Sequence, residues 1–349
     1  MSSSSLDYIT VKGFKSIASV EKLALRSVNI LIGSNGSGKS NFIGVFAFLH
    51  AIREGRLRDY VIEAGGAEKV LHFGSKTTKQ IEFRLYYQGS DRLQYWVVVL
   101  PTRDDNLYKS DESDTLQLSQ HAASSWGERI PDIIVGRVYH LHDTSNSSPM
   151  RKTAKVDDNR FLRPDGSNLA AFLYYLQEKH QISYSLIRRT IQQVAPFFDD
   201  FNLAPSRLKP DDIKLEWRHK KSDQYFDSGS FSDGTLRFIA LATLFLQPKD
   251  YLPPVILVDE PELGLHPYAI EMLASLIRQA SEATQVVVST QSSLLLDYFD
   301  PEDVLVANRV DGGTKIERLE PERLRDWLKD YSLGQLWEKN EFAGRPVPE

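Results

Sequence analysis

A glycine-rich octapeptide, GSNGSGKS at residues 33–40, constrains this chain more than any other feature. It follows SVNILIG, an apolar stretch that reads as a strand. It precedes NFIGVFAFLHAIREGRL, whose apolar positions recur at helical spacing. The pattern G-x-x-x-x-G-K-[ST] between a strand and a helix predicts a loop whose backbone N–H groups wrap phosphate oxygens. Glycines let the backbone come close to such a ligand. Lys39 is placed to reach the β- and γ-phosphates, and the Ser40 hydroxyl to ligate Mg2+. The plainer alternative is a glycine turn that only caps a core helix, and the flanking elements weigh against it.

Other segments carry matching chemistry. PVILVDEPELGLHP, 254–267, is an apolar run that delivers Asp259 and Glu260 at its C-terminal end, where parallel α/β sheets bind ligands. Asp259 is the candidate for holding Mg2+ through water, and Glu260 for orienting and deprotonating an attacking water. VVVSTQSS, 286–293, reads as a third buried strand, with Gln291 beyond it able to hydrogen-bond the γ-phosphate or the water. SGSFSDGTLRFIALATLFL, 228–246, is a second glycine-marked helix start. Its unpaired N–H groups and helix dipole also suit an anion.

A hydrophobic content of 41% is enough for a sizeable core. The net charge of −5 argues against a coat of nucleic-acid-binding charge, while leaving room for a local basic groove. With no cysteine, disulfides, thiolate zinc sites, zinc hooks and Fe–S clusters are excluded, and a reducing cytoplasm fits. MSSSSLDYITVKGF has no apolar core of a secretory signal. The longest apolar run, FIALATLFL, is far shorter than the roughly 20 residues that span a bilayer. A cytoplasmic location with no membrane partner is expected.

Along the chain, residues 7–32 read as two strands, DYITVKGF and SVNILIG. KQIEFRLYYQ and RLQYWVVVLP form a hairpin around GSD; residues 102–130 look irregular; DIIVGRVYHLHD is a strand. Helices are expected in SNLAAFLYYLQEKH, capped by Ser167 or Asn168, in SYSLIRRTIQQVAPFF and in PYAIEMLASLIRQASEA. DIKLEWRH and QYFDSGS pair around KKSD, and another pair flanks DGG at 311–313. The end, PERLRDWLKDYSLGQLWEK, is amphipathic; its Trp and Leu residues suit packing on the body of the protein, or else a partner. No heptad run is sustained, which excludes long coiled-coil arms.

GFKS (13–16), GSNGSGKSN (33–41), FSDGT (231–235), DEPELGLHP (259–267) and STQS stand in an order that resembles the ABC-type ATPase heads of the SMC, RecF and OLD group. The compact RecF-like predicted AAA-family ATPases are the most similar. HDTS, DDNRFLR, PFFDDF and YSLGQLWEKN mark that subfamily without indicating a chemical role. The resemblance implies an α/β P-loop NTPase of ABC-ATPase head type with an antiparallel β subdomain and a helical insertion. Residues 1–102 and 206–320 would form the head, 103–205 a mostly helical, lid-like insertion, and 321–349 a tail. It implies Mg2+-dependent hydrolysis of ATP to ADP and phosphate, with Glu260, Lys39 and Gln291 catalytic and Ser40 and Asp259 at the metal. ATP would be held by Gly33, Ser34, Asn35, Gly36, Ser37, Gly38, Lys39, Ser40 and Asn41, with Lys15 and Ser16 nearby.

In this group the second helix start serves the nucleotide of the partner chain. Ser232, Asp233, Gly234 and Thr235 would close in trans over its γ-phosphate, with His266 in the D-loop between the two sites. Two departures stand out. Transporters place a histidine where Gln291 stands, which implies slow or partner-triggered hydrolysis. The Q-loop glutamine has no clear counterpart, Gln80 being a candidate. The implied function is a switch that dimerises on ATP in DNA repair or anti-phage defence and controls a separately encoded, nuclease-like effector. The alternative is an ATP-gated DNA clamp without an effector. A transporter motor is disfavoured, because the signature is not of the Leu-Ser-Gly-Gly-Gln type. His140 and His142 share a strand face and read as packing residues. RHKK, 218–221, reads as a solvated turn, with a DNA-backbone contact as the alternative.

Overall fold

The computed structural model describes residues 5–87, 93–110 and 136–342. The chain forms two compact units, one from Met1–Val138, Pro253–Leu257 and Thr284–Glu349, the other from Tyr139–Leu252 and Val258–Ala283. Among the described residues no helix is long and apolar enough to cross a membrane.

The first unit rests on two sheets. One is antiparallel, in the order Ile17–Ala24, Leu6–Phe14, Ile81–Tyr87, Leu93–Pro101, Leu107–Lys109. The other runs Gly313–Arg318, Val304–Val310, Val28–Ile32, Gln285–Thr290, Val255–Asp259, Arg137–Tyr139. Val28–Ile32 lies parallel to both Gln285–Thr290 and Val304–Val310. Every residue of Val28–Ile32 and Gln285–Thr290 is buried. A strand covered on both faces needs such a continuous run rather than alternation. The helix Lys39–Arg53 buries Phe42, Phe46 and Phe48. Phe48 meets Phe14 and Phe83 at ring distances of 5.2 and 5.6 Å. Each such ring contributes about 1.5–3 kcal/mol by leaving water, so the phosphate loop springs from one of the most firmly packed parts of the unit.

The second unit holds the helices Leu169–Lys179, Gln181–Val194, Asp233–Leu246 and Pro267–Ser281. A three-stranded antiparallel sheet joins Tyr225–Asp227, Glu216–His219 and Phe198–Asn202. Asp233–Leu246 is buried at every position from Leu236 onward, the mark of a helix enclosed on all sides.

Several expectations need adjusting. Residues 7–32 hold three strands, because Ile17–Ala24 pairs antiparallel with Leu6–Phe14. Its buried Ile17, Val20 and Leu23 recur every third residue, and a register shift between Ile9 and Val11 accommodates them. That irregularity hides the strand from a period-of-two reading. Asn168 does stand at the cap position of Leu169–Lys179, but its side chain makes no cap bond. Fully buried, it accepts from Arg163 N–H and donates to the Asp158 and Phe161 carbonyls, so it organises the preceding loop instead. The amphipathic end is broken into Pro321–Leu324, a 3-10 turn at Trp327–Lys329, and Leu333–Glu338. The GSD turn and residues 111–135, which include most of the irregular stretch, lie outside the described residues.

Candidate nucleotide site

The phosphate loop leaves the sheet at the end of Val28–Ile32. Gly36 and Gly38 take φ values of 80° and 101°, in the left-handed region that side chains resist. Gly33 is needed for a second reason: a Cβ there would lie 2.4 Å from the Ala307 carbonyl oxygen and 2.6 Å from Ser37 Oγ. The Lys39 ammonium, on a residue only 5% exposed, donates to the carbonyls of Gly33 (2.7 Å) and Ser34 (3.0 Å). It therefore lies along the loop it would use. Ser37 is buried, and its hydroxyl oxygen has no hydrogen-bond partner within the protein. A buried donor left over in a glycine cradle with a lysine along its rim fits a polyphosphate.

GFKS sits against this loop. The Ser16 hydroxyl accepts from Asn41 Nδ2 (2.7 Å) and meets the Thr314 hydroxyl at 2.7 Å. Thr314 also donates to the Ser37 carbonyl, 2.9 Å away. Lys15 has a left-handed backbone, φ 48°, held by its N–H on the Val70 carbonyl and by its own carbonyl against His72 Nδ1. Its ammonium lies 5.5 and 5.6 Å from the Phe14 and Tyr60 ring centres, and burial lowers its pKa. The same apolar setting pushes the Tyr60 phenol up to about 12. A cleft of about 290 Å3 opens here, lined by Lys15, Ser16, Asn41, Lys69, Phe73 and Arg309 among others. Its cations suit an anionic ligand. Gln80 is exposed and stands just before Ile81–Tyr87; it is not among the residues lining the cleft.

Thr290 pairs with Ile32, so Gln291 and Gly33 leave neighbouring parallel strands side by side. Asp259 ends the next strand of the sheet. Both Asp259 and Glu260 are half-buried. Glu260 has φ 43°, a costly conformation for a side-chain-bearing residue and one that concentrates at functional sites.

The second helix start is built differently. Ser232 caps Asp233–Leu246 from extended backbone, its hydroxyl accepting from Thr235 N–H (3.2 Å) and lying 2.8 Å from the Thr235 hydroxyl. A Cβ on Gly234 would lie 2.3 Å from the Gly264 carbonyl oxygen. The FSDGT and DEPELGLHP segments are therefore in backbone contact within the second unit. His266 caps Pro267–Ser281, its ring accepting from Tyr268 N–H (3.3 Å).

Residues 28–297 match the family described as "AAA domain, putative AbiEii toxin, Type IV TA system". The chain belongs to this AAA family. Its fold is that of SMC heads. An SmcHead bound to the C-winged helix domain of ScpA superposes with a TM-score of 0.63 at 19% identity, covering 92% of this chain and 99% of that one. The Smc head of Pyrococcus furiosus, with an extended coiled coil and bound to the C-terminal domain of ScpA, gives 0.60 at 17%, covering 94% and 99%. The SMC head domain from Thermotoga maritima gives 0.50 at 17%, covering 90% and 99%. The protein is thus a nucleotide-binding ATPase of the AAA family with the fold of SMC heads.

The AAA-family head also uses residues that no motif flags. Thr314 reaches the phosphate loop from the strand pair around DGG. The Arg237 guanidinium, buried and with its pKa lowered by that burial, donates to the Leu141 and His142 carbonyls at 3.3 and 2.7 Å. Arg151, half-buried but with its side chain enclosed, holds the Thr144 carbonyl and the Phe231 carbonyl beside Ser232. The HDTS stretch therefore anchors two arginines through its backbone. His140 and His142 are exposed, with ring centres 5.7 Å apart. The His140 pKa is lowered by partial burial and by His142, with Asp259 opposing. Arg218 of RHKK is paired at 2.5 Å with Asp199 on the neighbouring strand, and Lys221 N–H caps back onto His219 Nδ1.

Proposed function

We propose that this ATPase dimerises on ATP, each site combining the phosphate loop of one chain with the Ser232–Thr235 signature of another. The observation that carries the reading is the presence of two differently built helix starts in one chain. One is a glycine cradle with a buried lysine and a leftover buried hydroxyl; the other is a serine cap with an exposed hydroxyl. In this reading Lys39 and the backbone of residues 33–41 bind the phosphates, with Lys15 and Ser16 beside them. Ser40, and Asp259 through water, hold Mg2+, which would neutralise charge developing on the phosphate oxygens. Glu260 orients and deprotonates the attacking water, and Gln291 hydrogen-bonds it or the γ-phosphate. His266 lies in the loop that passes between the sites. Residues 1–102 and 206–320 act as the head, 103–205 as a lid and 321–349 as a tail.

The switch acts in a DNA-related process, and anti-phage defence is favoured over repair because the family's description names type IV toxin–antitoxin systems. A separately encoded effector is its target. Binding of ScpA domains to SMC heads supports docking of a protein partner on a head of this fold. Glu260→Gln tests the core of the reading. It should bind ATP normally, hydrolyse it about 10²–10⁴-fold more slowly, and accumulate an ATP-bound dimer in light scattering. Unchanged turnover would move the base elsewhere, and a persistent monomer would remove the sandwich. Recovering the trapped dimer from its host then separates two roles. A co-purifying protein supports the effector switch; DNA alone supports a clamp.

A further inference from the structure

Arg151 lies far in sequence from every ATPase motif, yet its side chain is only 7% exposed and ends at the signature loop. Nη1 donates to the Ser228 carbonyl, Nη2 to the Phe231 carbonyl (3.2 Å) and to Asp233 Oδ1 (3.1 Å). Nε donates to the Thr144 carbonyl at 3.0 Å, and the Ser228 hydroxyl returns a bond to the Arg151 carbonyl at 3.4 Å. The acceptors at 231 and 233 flank Ser232 on both sides. Trp217 also holds this loop: it stacks on Phe231 with ring centres 4.6 Å apart, and its Nε1 donates to the Asp227 carbonyl and the Ser230 hydroxyl. The helix beyond is fixed separately, by burial of Leu236 to Leu246. Arg151 therefore bears on the loop that presents Ser232 and on the first residue of the helix, rather than on its buried body.

We infer that Arg151 is a positioning residue for the signature: its fork sets the 228–233 backbone so that the Ser232 hydroxyl and the Gly234 N–H meet the other chain's nucleotide. This rests on the shared-site reading above. A rigid planar fork can hold two carbonyls and a carboxylate at once; a lysine, as a single charged point, cannot. Displacement of a site group by about 1 Å can cost about 10²-fold in rate.

The test is ATP hydrolysis by Arg151→Ala, alone and mixed with Lys39→Ala, beside the control pair Ser232→Arg with Lys39→Ala. Arg151→Ala should bind ATP as the parent does, because its phosphate loop is intact, and hydrolyse it about 10²-fold more slowly. Arg151→Lys should fall between the two, and it carries the test if the alanine variant does not fold. Mixing with Lys39→Ala should restore activity. One site of the mixed dimer then combines an intact Lys39 with an intact signature, giving at most about half the wild-type sites per pair. A purely structural role would not be rescued in this way. Parental turnover in both Arg151 variants overturns the inference. So does recovery in the control pair without recovery in the Arg151 pair. If neither pair recovers, the shared site itself is refuted and the inference falls with it.

Discussion

At the start of Lys39–Arg53 the cap is Gly38, at φ 101°, and no side chain caps the helix. At the start of Asp233–Leu246 the cap is Ser232, in extended backbone, and its hydroxyl takes the Thr235 N–H. The glycines differ as well. Gly36 is present for its backbone conformation, with φ 80° and open space where a Cβ would point. Gly234 has ordinary backbone and is present because the Gly264 carbonyl comes too close for any side chain. The first start leaves open space at its glycine, and the second is fitted against another part of the same chain. Under the function proposed above, similar text encodes a receptor for phosphate in one case and a presenter to another chain's nucleotide in the other.

The largest effect that this contrast predicts is at the receptor. Lys39→Ala should weaken ATP binding by on the order of 10²–10³-fold in direct titration, the scale of losing two charge-assisted hydrogen bonds. Parental affinity would remove GSNGSGKS from the nucleotide site and erase the distinction. At the presenter, Gly234→Ala forces the Gly264 backbone to move. It should leave binding intact while slowing hydrolysis by about tenfold or more. Loss of binding there would mean that both starts serve one chain's nucleotide.

Smaller effects sharpen the same contrast. Ser232→Ala removes a helix cap and should lower unfolding free energy by about 1 kcal/mol in urea titration. No change would show that enclosure of the helix alone fixes its start. The smallest effect concerns His140, whose pKa is depressed by burial and His142. The unfolded chain binds this proton more readily, so the contribution is complete above the ordinary value of about 6.5 and is lost as pH falls through the lower folded value. His140→Gln should flatten that part of the stability profile. An identical acid limb in both proteins would place the titrating group elsewhere.

The phosphate loop, the strand ends at Asp259 and Gln291, and the start of the helix Asp233–Leu246 were legible because each is local: a motif within one turn of chain, bounded by a period that reports burial. Ile17–Ala24 was not, because its pairing depends on a register shift in a neighbour. Nor was the loop-organising role of Asn168, which the sequence suggested as a helix cap. Its side chain faces a loop wound back from residues 158–163, and no spacing rule records that. Arg151 and Thr314 lie 82 and 298 residues from Asp233 and Ser16, the candidate site residues that they touch.

By itself the sequence determined that this chain carries a phosphate loop, an acidic strand end and a second glycine-marked helix start, because backbone conformation and burial period are properties of short segments. Only the tertiary structure decided that Gly234 answers to the Gly264 carbonyl, that Ser16 and Thr314 brace the phosphate loop, and that Arg151 and Arg237 are tied to HDTS carbonyls. Those choices depend on which backbone carbonyls converge in space, and a carbonyl is carried by every residue alike.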